Sequence, residues 1–597
     1  MNLLKPKINW EEDYSSKILI GAIVVVFIVF GLRLWFLQIL KGDFFAKKSL
    51  DNRTRLTKIY APRGLIFDRN GRLLAYNEPA YDLAIVREDC RQHSCKFYLR
   101  FASNILKINL ETIVKKFKKR VKRVKPFEPL VLVSNLSFRD LARLEARISE
   151  WPGFRIIVRP RRHYKFSKPF SHVLGYVGIV DEKELSEDPE LDSGDYIGKG
   201  GIEKVLEKRL RGKKGIKKLE VNALGRVFKE EIVKPPIPGI DLSLSLDLDL
   251  QRYIYNILEE KAGAVVVMRP ETGQVLALVS SPGYDSNKFV LGISSKDWES
   301  LVKNPLHPLR NKVIQGLYPP GSVFKLVVAA FLLEKVPQFF DQEKIFCPGY
   351  LKLGRRIFRC WKRVGHGWVD LRRALVESCD VYFYSRGEDI DIDLLHDFAL
   401  ECGFGKTTGI ALPFEKSGLI PSRAWKLKRF KEPWQGGENL NVAIGQGYVL
   451  VTPLQVARFI SGLVNNGISY TPSLFLNEKR LTPQILPINK RNREKILSAM
   501  IETVESEQGT ARCLKIKGVV LGAKTGTAQV VKLKDDKKKN KDVPYKYRDH
   551  AWMASFGIIK GKKYVVVCLM EHGGHGASGS GPIVKSIYEY LLRKSSE

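Results

Sequence analysis

Three short patterns in the chain hold the residue types that serine acyl transfer requires. Tyr318-Pro319-Pro320-Gly321-Ser322-Val323-Phe324-Lys325 runs into the apolar stretch Leu326 to Leu333, so Pro-Pro-Gly closes a loop and Ser322 opens a helix. Free backbone N–H groups at a helix start can stabilise an oxyanion, and one turn on, Lys325 shares the face of Ser322. A serine hydroxyl is a weak nucleophile, and a desolvated lysine is a base suited to activate it. Alone, the same residues also describe an N-cap serine followed by an exposed lysine. Ser378-Cys379-Asp380 and Lys524-Thr525-Gly526-Thr527 follow in order, adding a second serine hydroxyl, a second lysine and two threonines.

A second set of residue types points to a metal. Cys347, Cys360, His366 and Cys379 suit a closed tetrahedral zinc site, although their spacing is not that of a zinc finger. Cys379 lies inside the second pattern, so zinc there would pin the loop that carries Ser378. The alternatives are a Cys347–Cys360 disulfide, or buried thiols beside a surface histidine. Cys90 and Cys95 could form a small disulfide of their own, and Cys402, Cys513 and Cys568 read as core residues. His572 and His575, in a glycine-rich loop, read as structural or substrate-lining.

These residues need a scaffold, and at 597 residues the chain is long enough for two or three folded units. The net charge of +36 asks for an anionic neighbour. Its lysine-rich runs, Lys115 to Lys125 and Lys532 to Lys541, read as solvated faces or loops, and with no zinc-finger spacing, aromatic RNP-like signature or P-loop beside them a nucleic-acid partner is not expected. Ile18 to Leu40 is long and apolar enough to span a bilayer and has no small-x-small cleavage site before Lys41, which marks an uncleaved anchor. Charge flanks the segment on both sides, so the positive-inside rule does not orient it.

Beyond the anchor, Ala61 to Gly71 reads as extended structure, and Ser137 opens a helix with Leu141, Leu144 and Ile148 on one face, closed by Pro152-Gly153. The alternating run from Ile240 to Leu250 reads as a strand leading into a helix from Gln251. Ala264 to Met268 and Val275 to Ser280 read as a hairpin, Val519 to Ala523, Trp552 to Ile559 and Tyr564 to Met570 as strands, and Pro582 to Leu592 as the last helix. Strands at both ends of a helical middle predict an α/β (α+β) domain whose sheet is closed by distant segments. The expected organisation is a tail (1–17), an anchor (18–40), an α+β pedestal (41–240) and a catalytic domain (241–597).

With Ser-x-x-Lys, Ser-x-Asp and Lys-Thr-Gly in this order, the chain resembles the penicillin-binding proteins. Arg63 to Gly71 resembles the pedestal, or dimerisation-type, module of the class B members, and Gly198 to Glu203 and Gly445-Gln446-Gly447 look like further landmarks. The resemblance implies a peptidoglycan D,D-transpeptidase that β-lactams acylate. Ser322 would attack the penultimate D-alanine carbonyl of a stem peptide, Lys325 would take its proton, and Ser378 would relay protons toward the leaving amine. Lys524, Thr525 and Thr527 would hold the substrate carboxylate, with Gly526 between them, and the N–H groups of Ser322 and Thr527 would form the oxyanion hole. Asp380 stands where Asn is commoner and lacks the amide donor, which leaves its expected substrate contact in question. The Asp variant resembles the elongation-type branch, penicillin-binding protein 2, some of whose members carry zinc at matching places. That branch implies a single-pass protein of the inner membrane with its catalytic domain in the periplasm, working with a RodA-type membrane glycosyltransferase in an elongation complex that maintains cell shape. A β-lactamase or β-lactam sensor of the same fold, and a non-catalytic assembly scaffold, are the competing functions.

Overall fold

The computed structural model of the chain describes residues 14–90, 94–121, 124, 126–192, 194–221, 227–336, 343–476, 482–530 and 544–596. The run Lys532 to Lys541 and most of the N-terminal tail lie outside them. The helix Tyr14–Trp35, extended by the π-turn Phe36–Leu40, contains an apolar stretch over Lys17–Leu40, 24 residues long, with no buried residue. At 1.5 Å per residue such a helix is about 36 Å long, enough to cross a hydrocarbon core.

The chain divides into two compact units that do not follow chain order. One comprises Met1–Ala61, Ala80–Arg159 and Lys213–Ile237; the other comprises Pro62–Pro79, Pro160–Gly212 and Pro238–Glu597. The stretch read as one pedestal thus contributes to both.

In the first unit, Thr54–Ile59, Gly215–Val221 and Val227–Lys234 make an antiparallel three-stranded sheet. A separate core gathers Tyr98, Leu99, Phe101, Trp151 and Phe154, with the Phe101 and Trp151 rings stacked at 4.2 Å. The helix Leu110–Val121 turns Ile113 into this core and leaves Lys115, Lys116, Lys118 and Lys119 in solvent. Ser137 caps the helix Phe138–Glu145 by accepting from the Asp140 N–H. That helix buries Leu141 and Leu144, while Ile148 falls in the following 3₁₀ turn. Cys90 and Cys95 are free thiols.

The second unit is built on a five-stranded antiparallel sheet: β1 (Gly263–Met268), β2 (Val275–Ser281), β3 (Val520–Ala528), β4 (His550–Ile559) and β5 (Lys562–Met570), in the order β2-β1-β5-β4-β3. Every residue of β1 and β2 is buried, as expected of strands covered on both faces. The helix Gly581–Lys594 packs in the core on one face of the sheet, and the helices Lys325–Lys335 and Pro453–Val464 pack in the core on the other. The run from Ile240 forms a strand only at Leu242–Ser243, followed by a single bridge from Leu244 to Phe475. Its later leucines enter the helix Leu248–Ile257, which Asp247 caps. Cys402 and Cys568 are buried as expected. Cys513 is instead exposed, on the 3₁₀ turn Arg512–Leu514.

Glu203 is fully buried in this unit and accepts from Arg63 and from Arg162, whose Nε lies 2.6 Å away. Burial pushes its carboxyl up, but the two guanidinium groups outweigh this and hold it below the usual range. Arg162 also donates to the Gly64 carbonyl at 2.7 Å, tying together two of the glycine-bearing landmarks.

Candidate active site

Ser322 sits half-buried in the 3₁₀ turn Gly321–Val323, which leads directly into the Lys325–Lys335 helix. That helix is buried from Lys325 to Leu333, so the turn is fixed from below by the core. Gly321 has φ +54°, and its N–H donates to the Gly445 carbonyl at 2.9 Å. A Cβ at Gly321 would stand 2.5 Å from the Thr527 oxygen and 3.2 Å from its nitrogen. Only glycine lets the edge strand β3 come this close to the serine turn. Gln446 Nε2 donates to the Thr527 carbonyl at 3.0 Å. In a strand the N–H and C=O of one residue point the same way, so the Thr527 N–H also points off the sheet edge.

The second pattern lies between the helices Leu371–Val376 and Asp380–Gly387. Ser378 adopts φ +54°, a left-handed conformation that stores strain in a non-glycine residue and recurs at functional sites. Lys325 Nζ donates to the Ser378 carbonyl at 3.0 Å, to the Ser378 hydroxyl at 3.4 Å and to Asp380 Oδ1 at 2.7 Å. Lys524 Nζ donates to the same hydroxyl at 2.8 Å. Both lysines are fully buried, yet a single carboxylate serves the pair. Burial, reinforced by the charge of Lys325 and opposed by Asp380, pulls Lys524 well below the usual lysine range.

Asp380 is held by the protein on both oxygens. Its Oδ1 is taken by Lys325 and its Oδ2 accepts the Trp361 N–H at 2.9 Å, so both oxygens serve the protein. The carboxylate is a counter-charge for Lys325. Thr525 donates to the Thr510 hydroxyl at 2.9 Å, and Thr527 is half-buried beside the serine turn. Trp361 and Thr510 carry no sequence signal; they are recognisable only by their contacts.

Cys347, Cys360, His366 and Cys379 are all buried, and their ligand atoms lie within 4.8 Å of one another. The cysteines are free thiols, so the Cys347–Cys360 disulfide is not formed. His366 Nδ1 is 3.5 Å from Cys347 Sγ and 3.6 Å from Cys360 Sγ. Zinc bonds of about 2.3 Å to sulfur and 2.0–2.1 Å to nitrogen, at the tetrahedral angle, would put S and N about 3.6 Å apart. Nε2 of His366 is buried without a hydrogen bond, 4.0 Å from Glu377 Oε2, where a carboxylate can orient a ligating imidazole. The donor set therefore fits zinc. His572 and His575 join no metal-type cluster among the described residues. His572 packs its ring 4.8 Å from that of His550 and bonds to the Arg548 carbonyl.

The profile of the penicillin-binding protein transpeptidase domain matches residues 263–589, and that of the penicillin-binding protein dimerisation domain matches residues 58–244. The peptidoglycan D,D-transpeptidase MrdA of Haemophilus influenzae is 35% identical over 580 residues, 94% of this chain and 88% of the relative. MrdA of Escherichia coli K12 is also 35% identical, over 94% of this chain and 91% of its own. The chain belongs to the penicillin-binding protein 2 family. Among solved structures, PBP2 in its complex with MreC from Helicobacter pylori superposes with a TM-score of 0.80 at 33% identity, covering 90% of this chain and 99% of that one. A chain of a peptidoglycan synthase complex that coordinates polymerisation and crosslinking gives a TM-score of 0.70 at 28% identity, with 96% and 97% covered. As a penicillin-binding protein 2, the chain is a peptidoglycan D,D-transpeptidase of the serine acyl-transfer type, with the α/β transpeptidase and dimerisation modules that its sequence resembled.

Proposed function

We propose that Ser322 is the nucleophile of this transpeptidase and that the two lysines share one proton across Ser378. The observation that carries the reading is the convergence of Lys325 and Lys524 on the Ser378 hydroxyl, with Asp380 on Lys325 alone. Two ammonium groups with one carboxylate would leave an unpaired charge buried, so one lysine is neutral at rest, and it is the one without the carboxylate. With Lys524 neutral, the 2.8 Å contact can turn round so that the Ser378 O–H donates to the Lys524 lone pair, and Lys325 passes a proton to Ser378 as Ser378 passes its own to Lys524. The freed Lys325 amine then takes the Ser322 proton, and Ser322 attacks the penultimate D-alanine carbonyl of a stem peptide. The N–H groups of Ser322 and Thr527 receive the oxyanion. Collapse expels D-alanine, whose nitrogen is protonated through Ser378, and an amine of a neighbouring strand takes the acyl group. Thr525, Gly526 and Thr527 line the place for the substrate carboxylate beside Lys524. The relatives are named transpeptidases, which favours this reading over the β-lactamase, sensor and scaffold alternatives. Labelling of the full chain with a fluorescent penicillin is expected to vanish in Ser322→Ala; labelling that persists rejects the nucleophile.

The same proposal extends to setting and cofactor. The exposed N-terminal helix supports a single-pass anchor in the inner membrane with the catalytic unit in the periplasm. The likeness to PBP2 bound to MreC and to the synthase complex supports an elongation-complex partner, of which a RodA-type polymerase is the finer identification. Structural zinc would be held by Cys347, Cys360, His366 and Cys379 and would supply a rigid crosslink, with no chemical step of its own. Cys360→Ser should lower bound zinc measured on purified protein; zinc absent from the wild type rejects the assignment.

A further inference from the structure

The segment from Cys360 to His366 is stapled at both ends. The Cys360 N–H donates to the Gly349 carbonyl at 2.8 Å and the His366 N–H to the Cys347 carbonyl at 3.1 Å. Inside it, the Gly365 N–H closes a turn on the Lys362 carbonyl at 3.0 Å, and Gly349 and Gly365 have φ +96° and +81°. A Cβ at Gly349 would meet the Arg363 oxygen at 2.1 Å, and one at Gly365 the Cys347 oxygen at 2.2 Å. The loop is therefore a close-packed, preorganised element. Yet it presents its largest apolar side chains to water: Trp361 is 57% exposed and Val364 is 88% exposed.

The Trp361 ring is aimed. Its Nε1 donates to the Glu377 carbonyl at 3.0 Å, and its backbone N–H holds Asp380 at 2.9 Å. Two hydrogen bonds thus separate Trp361 from Lys325. An exposed indole with both N–H groups committed to protein has an apolar ring face left to offer, at little ordering cost on binding. In the same stretch Arg355, Arg356 and Arg363 are exposed and ion-pair with no described acidic group, Arg356 lying 4.8 Å from the Phe358 ring centre. Aromatic surface flanked by unpaired guanidinium groups is complementary to a ligand with both ring C–H faces and carboxylates.

We propose that Trp361, Arg363 and Val364 form a subsite for the amino-sugar part of a glycan strand, the indole stacking on a pyranose ring and Arg363 pairing with a carboxylate of the attached peptide. The proposal rests on the transpeptidase reading above. A protein partner on the same surface is the competing occupant, and a purely structural role as a cover for the cysteine cluster is the other.

The test uses the full chain in detergent and two acyl donors, a disaccharide-pentapeptide and the bare pentapeptide, with KM and kcat measured separately. Wild type should show a KM at least fivefold lower for the sugar-bearing donor. Trp361→Ala should raise the sugar-donor KM fivefold or more relative to the KM of the bare peptide, whatever it does to turnover common to both donors, and Trp361→Phe, which keeps a ring but loses the Nε1 donor, should restore part of the preference. Val364→Ser, at a position too exposed to affect folding, should raise the sugar-donor KM about twofold. Equal effects on both donors, or no preference in the wild type, overturn the subsite. Failure of the underlying reading looks different: no turnover of either donor and no penicillin labelling of Ser322.

Discussion

Asp380→Asn restores the residue commoner in penicillin-binding proteins, and in this chain it should be harmful. The carboxylate accepts from Lys325 on one oxygen and from the Trp361 N–H on the other. Asparagine has one acceptor to offer, so its NH₂ group must face either the Trp361 N–H or a lysine ammonium, both donors. With the oxygen kept on Lys325, a charge-assisted hydrogen bond becomes a neutral acceptor's, a loss of about 1–1.5 kcal/mol, and the orphaned Trp361 N–H costs about 1–3 kcal/mol more. Stability should fall by about 2–4.5 kcal/mol. The part borne by Lys325 corresponds to acylation slowed about five- to twelvefold. Thermal melts of the full chain and the second-order rate of acylation by a fluorescent penicillin measure the two effects. Asp380→Ala, which removes both acceptors as well as the counter-charge, should lose about 3–5 kcal/mol. An Asn variant that melts and acylates like the wild type would refute the assignment of both oxygens.

Gly321→Ala should fold but lose most penicillin acylation, because its Cβ meets the Thr527 backbone at 2.5 Å and must push β3 away from the serine; retained labelling would contradict that contact. Glu203→Gln should destabilise the second unit by about 3–5 kcal/mol in denaturant melts, since two arginines lose their buried counter-charge. His172 is buried near Lys312, and burial first, then that charge, lower its pKa to about 3 from 6.5. The folded state refuses a proton that the unfolded chain accepts, so stability is lost as pH falls below about 6.5, by about 1.4 kcal/mol per unit until the folded pKa is reached. His172→Phe should be correspondingly less acid-sensitive in melts compared between pH 6.5 and 4, and parallel losses would show that His172 already titrates normally.

The strands of the catalytic unit were legible from apolar runs: β1 and β2 lie within one residue of the expected spans. β3 was read short because Lys-Thr-Gly-Thr looks like a loop. It remains a strand to Ala528 because Thr525, Gly526 and Thr527 pair with Met553, Trp552 and Ala551 of β4, a long-range reward that no local propensity encodes. The run after Ile240 erred the other way, since leucines alternating with aspartates satisfy a strand pattern until Asp247 turns to cap a helix. In the site, residue types and order identified the serines, lysines and cysteines. They could not show that Asp380 bonds to Lys325, because that depends on how the chain from Trp361 to Asp380 folds back to place the Trp361 N–H. Cys513 was misread for a related reason: hydrophobicity ranks a cysteine as core, but the turn that carries it lies at the surface.

The contact between Gly321 and Thr527 joins the middle of the chain to a strand more than two hundred residues later, and β1 closes on β5 across a still longer interval. A growing chain therefore has Ser322 long before it has the edge strand that brings Thr527 beside it. Such long loops close late in folding. Reactivity toward penicillin is in this sense a report on finished topology: a truncated product, or one whose C-terminal strands have not docked, carries the serine but should remain silent to the drug.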